Sequence, residues 1–277
     1  MSSELRAGIL QEVATGVRRL VAPNPGMMTG PGTNTYLLGR DAIAVIDPGP
    51  RIDAHIDAIA EGAGAPVRWI LATHTHPDHS PAVSALAAMT GAEVLGRPAP
   101  EGRHQDRTFH PDRILDDADV LKTAEFELQA VHTPGHASNH VCYLLRKHRC
   151  LFTGDHIING STVVIDPPDG NMQQYIESLR RLKDIDIASI APGHGEVFTN
   201  PYEVIDWIID HRLEREGKVI AALRKNPAST SMELVAVVYK DVDRALYPVA
   251  ERSLLAHLIK LKDEGRAVND QGRWRQG

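Results

Sequence analysis

Cysteine is nearly absent from this 277-residue chain: Cys142 and Cys150 are the only two. They lie eight positions apart beside a predicted hairpin, which argues against a disulfide framework and for reduced thiols. No apolar run approaches the roughly 18 residues of a membrane helix. The first ten residues, with Glu4, Arg6 and Gly8, lack the continuous apolar core of a secretory leader. Both absences predict a cytoplasmic protein with no membrane partner. A basic surplus is missing too, since the net charge is -6. Residues 1–200 hold 17 Lys and Arg against 24 Asp and Glu, a balance of -7, and residues 201–277 hold 13 against 12, a balance of +1. That distribution weighs against a strong nucleic-acid binder, while a local patch stays compatible with brief binding of a single strand. An apolar content of 42% is ordinary for a globular chain with a sizeable core, and the length suggests about two domains at roughly 150 residues each.

The chemistry-bearing residues are clustered. Thr73-His74-Thr75-His76-Pro77-Asp78-His79 follows the apolar run Val67, Trp69, Ile70, Leu71, Ala72 and puts three histidines and an aspartate into six positions. A buried strand ending this way presents its polar groups at one rim of a sheet. Imidazole nitrogen and carboxylate oxygen suit zinc and, less selectively, manganese or iron. His74 and His76 share a side of an extended segment, whereas Asp78 and His79 fall where Pro77 breaks the strand and Ser80-Pro81 opens a helix. Four groups so directed do not comfortably share one ion, and the spacing predicts two. Three further clusters each follow an apolar strand: His132-Thr133-Pro134-Gly135-His136, Leu151-Phe152-Thr153-Gly154-Asp155-His156 and Ile190-Ala191-Pro192-Gly193-His194-Gly195. Gly or Pro beside each polar group lets the backbone turn tightly and approach an ion. Unrelated loop histidines would explain one such cluster, not four in succession.

Taken in order from Thr73 to Gly195, these motifs resemble the signature of the metallo-β-lactamase superfamily. Within it the chain looks like the mitochondrial endoribonuclease group of β-lactamase-like proteins and its bacterial relatives. That likeness rests on Gly32-Thr33-Asn34-Thr35-Tyr36-Leu37, on Asp155-His156-Ile157-Ile158-Asn159-Gly160-Ser161-Thr162, and on a C-terminal order of helix, helix, helix, wing. The resemblance implies an α/β fold, a four-layer αββα sandwich with a small C-terminal winged-helix-like domain. Residues 1–200 would form the catalytic domain and 201–277 the linking helix and winged-helix-like domain. It also implies that His74, His76 and His136 hold one metal and Asp78, His79 and His194 another, with Asp155 bridging them. Asp78 would be the catalytic carboxylate that orients the attacking water, and Asp47 would support the site from behind the ligands. Two divalent ions, expected to be zinc, would generate a bridging hydroxide that attacks the substrate, so no Ser or Cys nucleophile is needed. Neither cysteine occupies a ligand position, whereas one common class of zinc β-lactamases carries cysteine where this chain has Asp155.

The rest of the chain frames these motifs. Val17 to Val21, Tyr36 to Leu38 and Ala42 to Ile46 read as strands, and Pro23 to Pro31 as a turn or cleft wall whose Met27 and Met28 fit ordinary loop contacts better than a substrate groove. Ile52 to Ala60 fits an amphipathic helix with His55 at the surface, and Pro81 to Met89 a second helix. The stretch Arg97 to Asp119, with His104 and His110, has little periodicity and is a candidate cleft border. His132 and His140 fit a supporting or packing role better than coordination. Asp169 or Asn171 can cap a helix through Met172, Ile176 and Leu179. Asn200-Pro201-Tyr202-Glu203 starts another, running through Ile205, Ile208, Ile209, Leu213 and Ile220. Its apolar faces, and that of Leu254, Leu255 and Leu258, are buried either within one chain or in a homo-oligomer.

These signals predict a dinuclear metal hydrolase whose preferred substrate is a small ester, thioester or lactone, because the charge does not favour a polyanion. The alternative is an endoribonuclease acting on single-stranded RNA. Hydroxyacyl-glutathione hydrolysis, β-lactam hydrolysis and a non-enzymatic DNA-binding regulator fit less well. The tail does not obviously reproduce basic and aromatic glutathione contacts, no leader is evident, and every ligand position is filled.

Overall fold

The computed structural model describes residues 5–102 and 104–277, so Glu4, one of the polar residues that interrupt the first ten, lies outside the described residues. Contacts divide the chain into two compact units. The first comprises Met1–Thr133, Asn139–Ser161 and Asp186–Pro201, and the second Pro134–Ser138, Thr162–Ile185 and Tyr202–Gly277.

In the first unit, β1 (Leu10–Ala14), β2 (Val17–Val21), β3 (Asn34–Leu38), β4 (Ile43–Ile46), β5 (Val67–Leu71), β6 (Glu93–Gly96) and β7 (Arg113–Ile114) form one sheet in that order. Pairing is antiparallel up to β4 and parallel from β4 onward. The helices α1 (Asp53–Ala63) and α2 (Val83–Thr90) make the crossovers that parallel neighbours require. A second sheet follows the order β12-β11-β10-β9-β8, from β8 (Val120–Lys122), β9 (Glu127–His132), β10 (Val141–Leu145), β11 (Cys150–Gly154) and β12 (Ser189–Pro192). Alternating residues of the first sheet serve two cores. Tyr36, Leu38, Ala44, Ile46 and Leu71 pack with Leu128, Ala130, Tyr143 and Phe152 of the second sheet. Leu37, Ile43, Val45 and Ile70 pack with Ile56, Ile59 and Leu86 of α1 and α2. Burial on both faces explains why β4 reads as an unbroken apolar run.

The second unit holds α3 (Met172–Leu182), α4 (Pro201–Lys225), α5 (Ser231–Val238), α6 (Tyr247–Asp263), and the hairpin of β13 (Ala267–Asp270) and β14 (Arg273–Gln276). Of the two candidate caps, Asn171 closes α3 by accepting from Gln174 N, while Asp169 accepts from Ser138 N. Thr230 and Glu233 form a reciprocal capping box on α5. Val219, Leu223, Leu234, Leu254, Leu258 and Trp274 make this unit's core. The fold class is the αββα sandwich expected from the sequence, with an added small winged-helix-like domain.

Two local expectations are corrected. His55 is buried, at 2% exposure, because it shares the stripe His55, Ile56, Ile59, Ala63 that α1 turns inward. Its Nε2 lies 3.0 Å from Thr35 Oγ1, and burial lowers its pKa to about 4. On α4, Leu213 is exposed and Arg212 is buried, so the inward stripe after Ile208 and Ile209 continues through Arg212, Arg215 and Glu216 before Val219. Apolar spacing alone had pointed to Leu213.

Candidate metal centre

Four ligand-type side chains of the first unit converge where its strands end. Asp78 and His79 follow β5, Asp155 follows β11 and His194 follows β12. The strand ends are tied together: Val141 N donates to Thr73 O, Gly193 N to Gly154 O and Asn34 N to Gly193 O, all at 2.7–2.8 Å. Glycine is needed at two of these joints. A Cβ on Gly154, which has a φ of +45°, would come within 2.3 Å of Thr73 Oγ1. One on Gly193 would meet His79 Cε1 at 2.8 Å and Asp155 Oδ1 at 3.0 Å.

The four side chains each offer one ligand atom, all within 4.8 Å of one another. His79 Nε2 lies 3.5 Å from Asp78 Oδ2 and 3.3 Å from Asp155 Oδ1, and His194 Nε2 is 3.2 Å from both carboxylates. Neither Nε2 makes a hydrogen bond, although both are buried. The opposite ring nitrogens are occupied: His79 Nδ1 donates to Asp47 Oδ2 at 2.9 Å, and His194 Nδ1 to Gly32 O at 3.2 Å. Each ring therefore has its outer nitrogen fixed and its inner nitrogen turned to the shared point.

Electrostatics point the same way. Burial favours a neutral His194, but the attraction of Asp155 and Asp78 outweighs it and lifts the pKa to about 10. Burial is likewise overcome at His79, which Asp78, Asp155 and Asp47 raise well above the usual range. Asp155 is held well below the carboxylate range by His194 and His79 despite burial, and Asp78 is lowered by the same two rings. The cluster is thus built to enclose positive charge. Two imidazole nitrogens and two carboxylate oxygens at one point fit a divalent cation, which would replace the protons that these rings otherwise hold.

Three further histidines were expected as ligands, His74 and His76 in the first unit and His136 in the second. In the first unit His74 Nε2 and His76 Nδ1 stand 3.0 Å apart, and His74 Nδ1 lies 3.0 Å from Thr73 Oγ1. That hydroxyl donates to Asp47 Oδ2 at 2.8 Å, which leaves its lone pairs to accept from His74. In the second unit His136 Nδ1 donates to Val164 O over 2.7 Å.

Asp47 therefore touches both Thr73 and His79. Its own φ of +51° at the end of β4 is a left-handed conformation that aspartate tolerates better than most residues. His140 is fully buried, bonded through Nδ1 to Thr133 Oγ1 at 2.9 Å and stacked 5.0 Å from the His74 ring. His132 is half-buried at the end of β9, with its backbone N–H on Asp117. From the aperiodic stretch, Gln105 accepts from Thr75 Oγ1 and Asp106 accepts from Ser80 Oγ, so that stretch borders the histidine motif through these two residues. His104 and His110 are exposed. Sequence reading passed over Thr73, whose one available signal was its place between β5 and the first histidine.

A family model described as "Metallo-beta-lactamase superfamily" matches residues 28–194, and one described as "Beta-lactamase associated winged helix domain" matches 230–274. A "Beta-lactamase-like protein 2 homolog" of Drosophila melanogaster is 33% identical over 271 residues, covering 92% of this chain and 90% of its own. An "Atrochrysone carboxyl ACP thioesterase" of Aspergillus fumigatus is 29% identical over 283 residues, covering 93% and 86%. Among solved structures, a beta-lactamase domain protein from Burkholderia ambifaria superposes with a TM-score of 0.84 at 22% identity, over 100% of this chain and 96% of that one, a likeness of fold.

Proposed function

Because the chain belongs to the metallo-beta-lactamase superfamily, we propose that it is a dinuclear-metal hydrolase acting on a small ester, thioester or lactone, with residues 1–200 as its catalytic domain. The observation that carries this reading is the convergence of Asp78, His79, Asp155 and His194, with two buried Nε2 atoms facing two carboxylates and making no hydrogen bond. In this reading His74, His76 and His136 hold one ion, Asp78, His79 and His194 the other, and Asp155 both; zinc suits this donor set. Two such ions would acidify a water and polarise the bond under attack.

The chain's own residues supply the orientation. Asp47 holds His79 and, through Thr73, His74, so both rings are fixed at Nδ1. Asp78 is the most exposed of the four converging residues, at 25% for its side chain, and in this reading would accept the proton of the attacking water. As the acyl carbon–leaving group bond breaks, that proton passes to the leaving oxygen or sulfur.

An acyl substrate agrees with the thioesterase that the Aspergillus fumigatus relative is named for and with the net charge of -6. Residues 201–277 hold 13 Lys and Arg against 12 Asp and Glu, a balance that offers a polyanion little net attraction. Cys142 and Cys150 are both buried and form no disulfide, which suits the reducing cytoplasm.

Turnover on an ester, thioester and lactone panel beside a labelled single-stranded RNA, at low and physiological salt, tests the assignment. Acyl hydrolysis lost in Asp78→Ala is expected. RNA cleavage that persists at physiological salt, with negligible acyl turnover, would establish an endoribonuclease instead.

A further inference from the structure

Within the second unit a chain of contacts ends on His136. The imidazole donates from Nδ1 to the Val164 carbonyl, and two helices grip the peptides on either side of that residue. A guanidinium nitrogen of Arg212, on α4, donates to Val163 O, and Ser253 Oγ, on α6, accepts from Ile165 N at 3.3 Å. The loop that carries His136 is fixed as well. Asn171 N donates to Gly135 O at 2.7 Å, and Ser178 Oγ to Pro134 O at 2.8 Å. Gly135 has a φ of +143°, and a Cβ there would lie 2.3 Å from Tyr175 Cα.

Arg212 is the least expected member of this set. It is 2% exposed and lies in the buried stripe of α4, where an aliphatic residue would continue the pattern of Ile208 and Ile209. Burying a guanidinium costs free energy that a methyl-bearing side chain would not incur. Its Cζ sits 5.4 Å from the centre of the Tyr175 ring, so the cation touches both α3 and the Val163 peptide.

We infer that the C-terminal helical domain sets the orientation of His136, with Arg212 and Ser253 as positioning residues that act through the Val163–Ile165 backbone. This rests on the reading of His136 as a metal ligand. An imidazole held at Nδ1 by a fixed carbonyl has its Nε2 lone pair aimed and its tautomer set. Partners of this kind typically change metal affinity by about 10- to 100-fold when lost. The helices of the second unit are then part of what holds His136.

Cobalt(II) binding, followed by calorimetry and by the visible absorption spectrum of the bound ion, separates the outcomes. The comparison is between wild type, Arg212→Met, Arg212→Lys and Ser253→Ala, with Arg252→Ala as a surface control 3.5 Å from Asp166. Two ions on the wild type are expected, and about tenfold or greater weakening of one site in Arg212→Met with a changed spectrum. Arg212→Lys, which can still donate to Val163 O, recovers part of the affinity, and Ser253→Ala shows a smaller loss. Thermal melts alongside identify a purely structural effect: a lowered melting temperature with both affinities and the spectrum unchanged overturns the inference. If Arg212→Met does not fold, Ser253→Ala decides by the same criterion. Failure of the wild type to bind cobalt or zinc overturns the metal-centre reading and this inference with it, whereas two ions bound equally by every folded variant overturns this inference alone.

Discussion

Both units bury carboxylates, and they complete them differently. In the second unit Glu216 is 5% exposed, and its Oε2 meets Lys260 Nζ at 2.7 Å while its Oε1 meets Arg266 Nη1 at 3.0 Å. Long cationic side chains reach in and close each oxygen, leaving an ion-pair network that is finished as it stands. In the first unit the carboxylates of Asp78 and Asp155 meet imidazoles at 3.2–3.5 Å, and the facing ring nitrogens make no hydrogen bond. These short side chains at strand ends bring two ring nitrogens and two carboxylates to one point, a donor set that suits a cation. Burial of charge by itself does not mark a functional site. Convergence of donor atoms that cannot satisfy each other does.

The largest effect should come from breaking the incomplete cluster. Asp155→Ala removes the carboxylate that faces both His79 and His194, and turnover is expected to fall by at least about a hundredfold with metal content below two ions per chain. Elemental analysis and kinetics on the same sample check this, and unchanged values in both would show that Asp155 is not the shared ligand.

A buried histidine outside the cluster sharpens the contrast between a ring surrounded by carboxylates and one that is not. Burial depresses the folded-state pKa of His55 to about 4. The unfolded chain therefore takes up a proton as pH falls below about 6.5 while the folded protein does not. Stability is complete above about 6.5 and declines toward pH 4, by on the order of 3 kcal/mol in all. Denaturant titrations of wild type and His55→Gln between pH 7 and 4 should show a shallower decline for the variant. Parallel slopes would contradict the assignment.

The smallest of the three effects concerns the completed network. Glu216→Gln leaves Lys260 with Glu264 as its remaining carboxylate and is expected to cost about 2 kcal/mol of stability. Metal stoichiometry should not change. Loss of an ion in this variant would mean that the two clusters are coupled.

Much of the metal centre could be read from the sequence because chelating groups lie next to the strands that deliver them. A strand such as Val17–Val21 and the start of α4 at Pro201 were equally legible, since apolar alternation and a proline at a helix start are local signals. Contacts that depend on distant partners were not. Asp47 was reachable only through the family resemblance, and its contact with Thr73, 26 positions on, comes from the pairing of β4 with β5. His55 was expected at the surface because a polar residue near a helix start usually faces water. Arg212 was hidden for the opposite reason: apolar spacing locates a buried stripe by its hydrophobes and cannot reveal that the stripe passes through a cation.

The length of α4 also limits how the gene can change. Each residue of a helix turns its neighbours by about 100° and advances them about 1.5 Å. At the start of this 25-residue helix, Tyr202 Oη donates to Ile185 O at 2.7 Å, and six positions before Arg212 Asp206 pairs with Lys183. Adding or deleting one codon between Asp206 and Arg212 would swing the guanidinium by about 100° from the Val163 carbonyl while the helix start stayed anchored. Substitutions along the outer face of α4, at Asp210 or Leu213, should accumulate freely in descendants of this chain. Single-codon insertions and deletions within that turn and a half should be eliminated, and length variation should collect in irregular stretches such as residues 104–112.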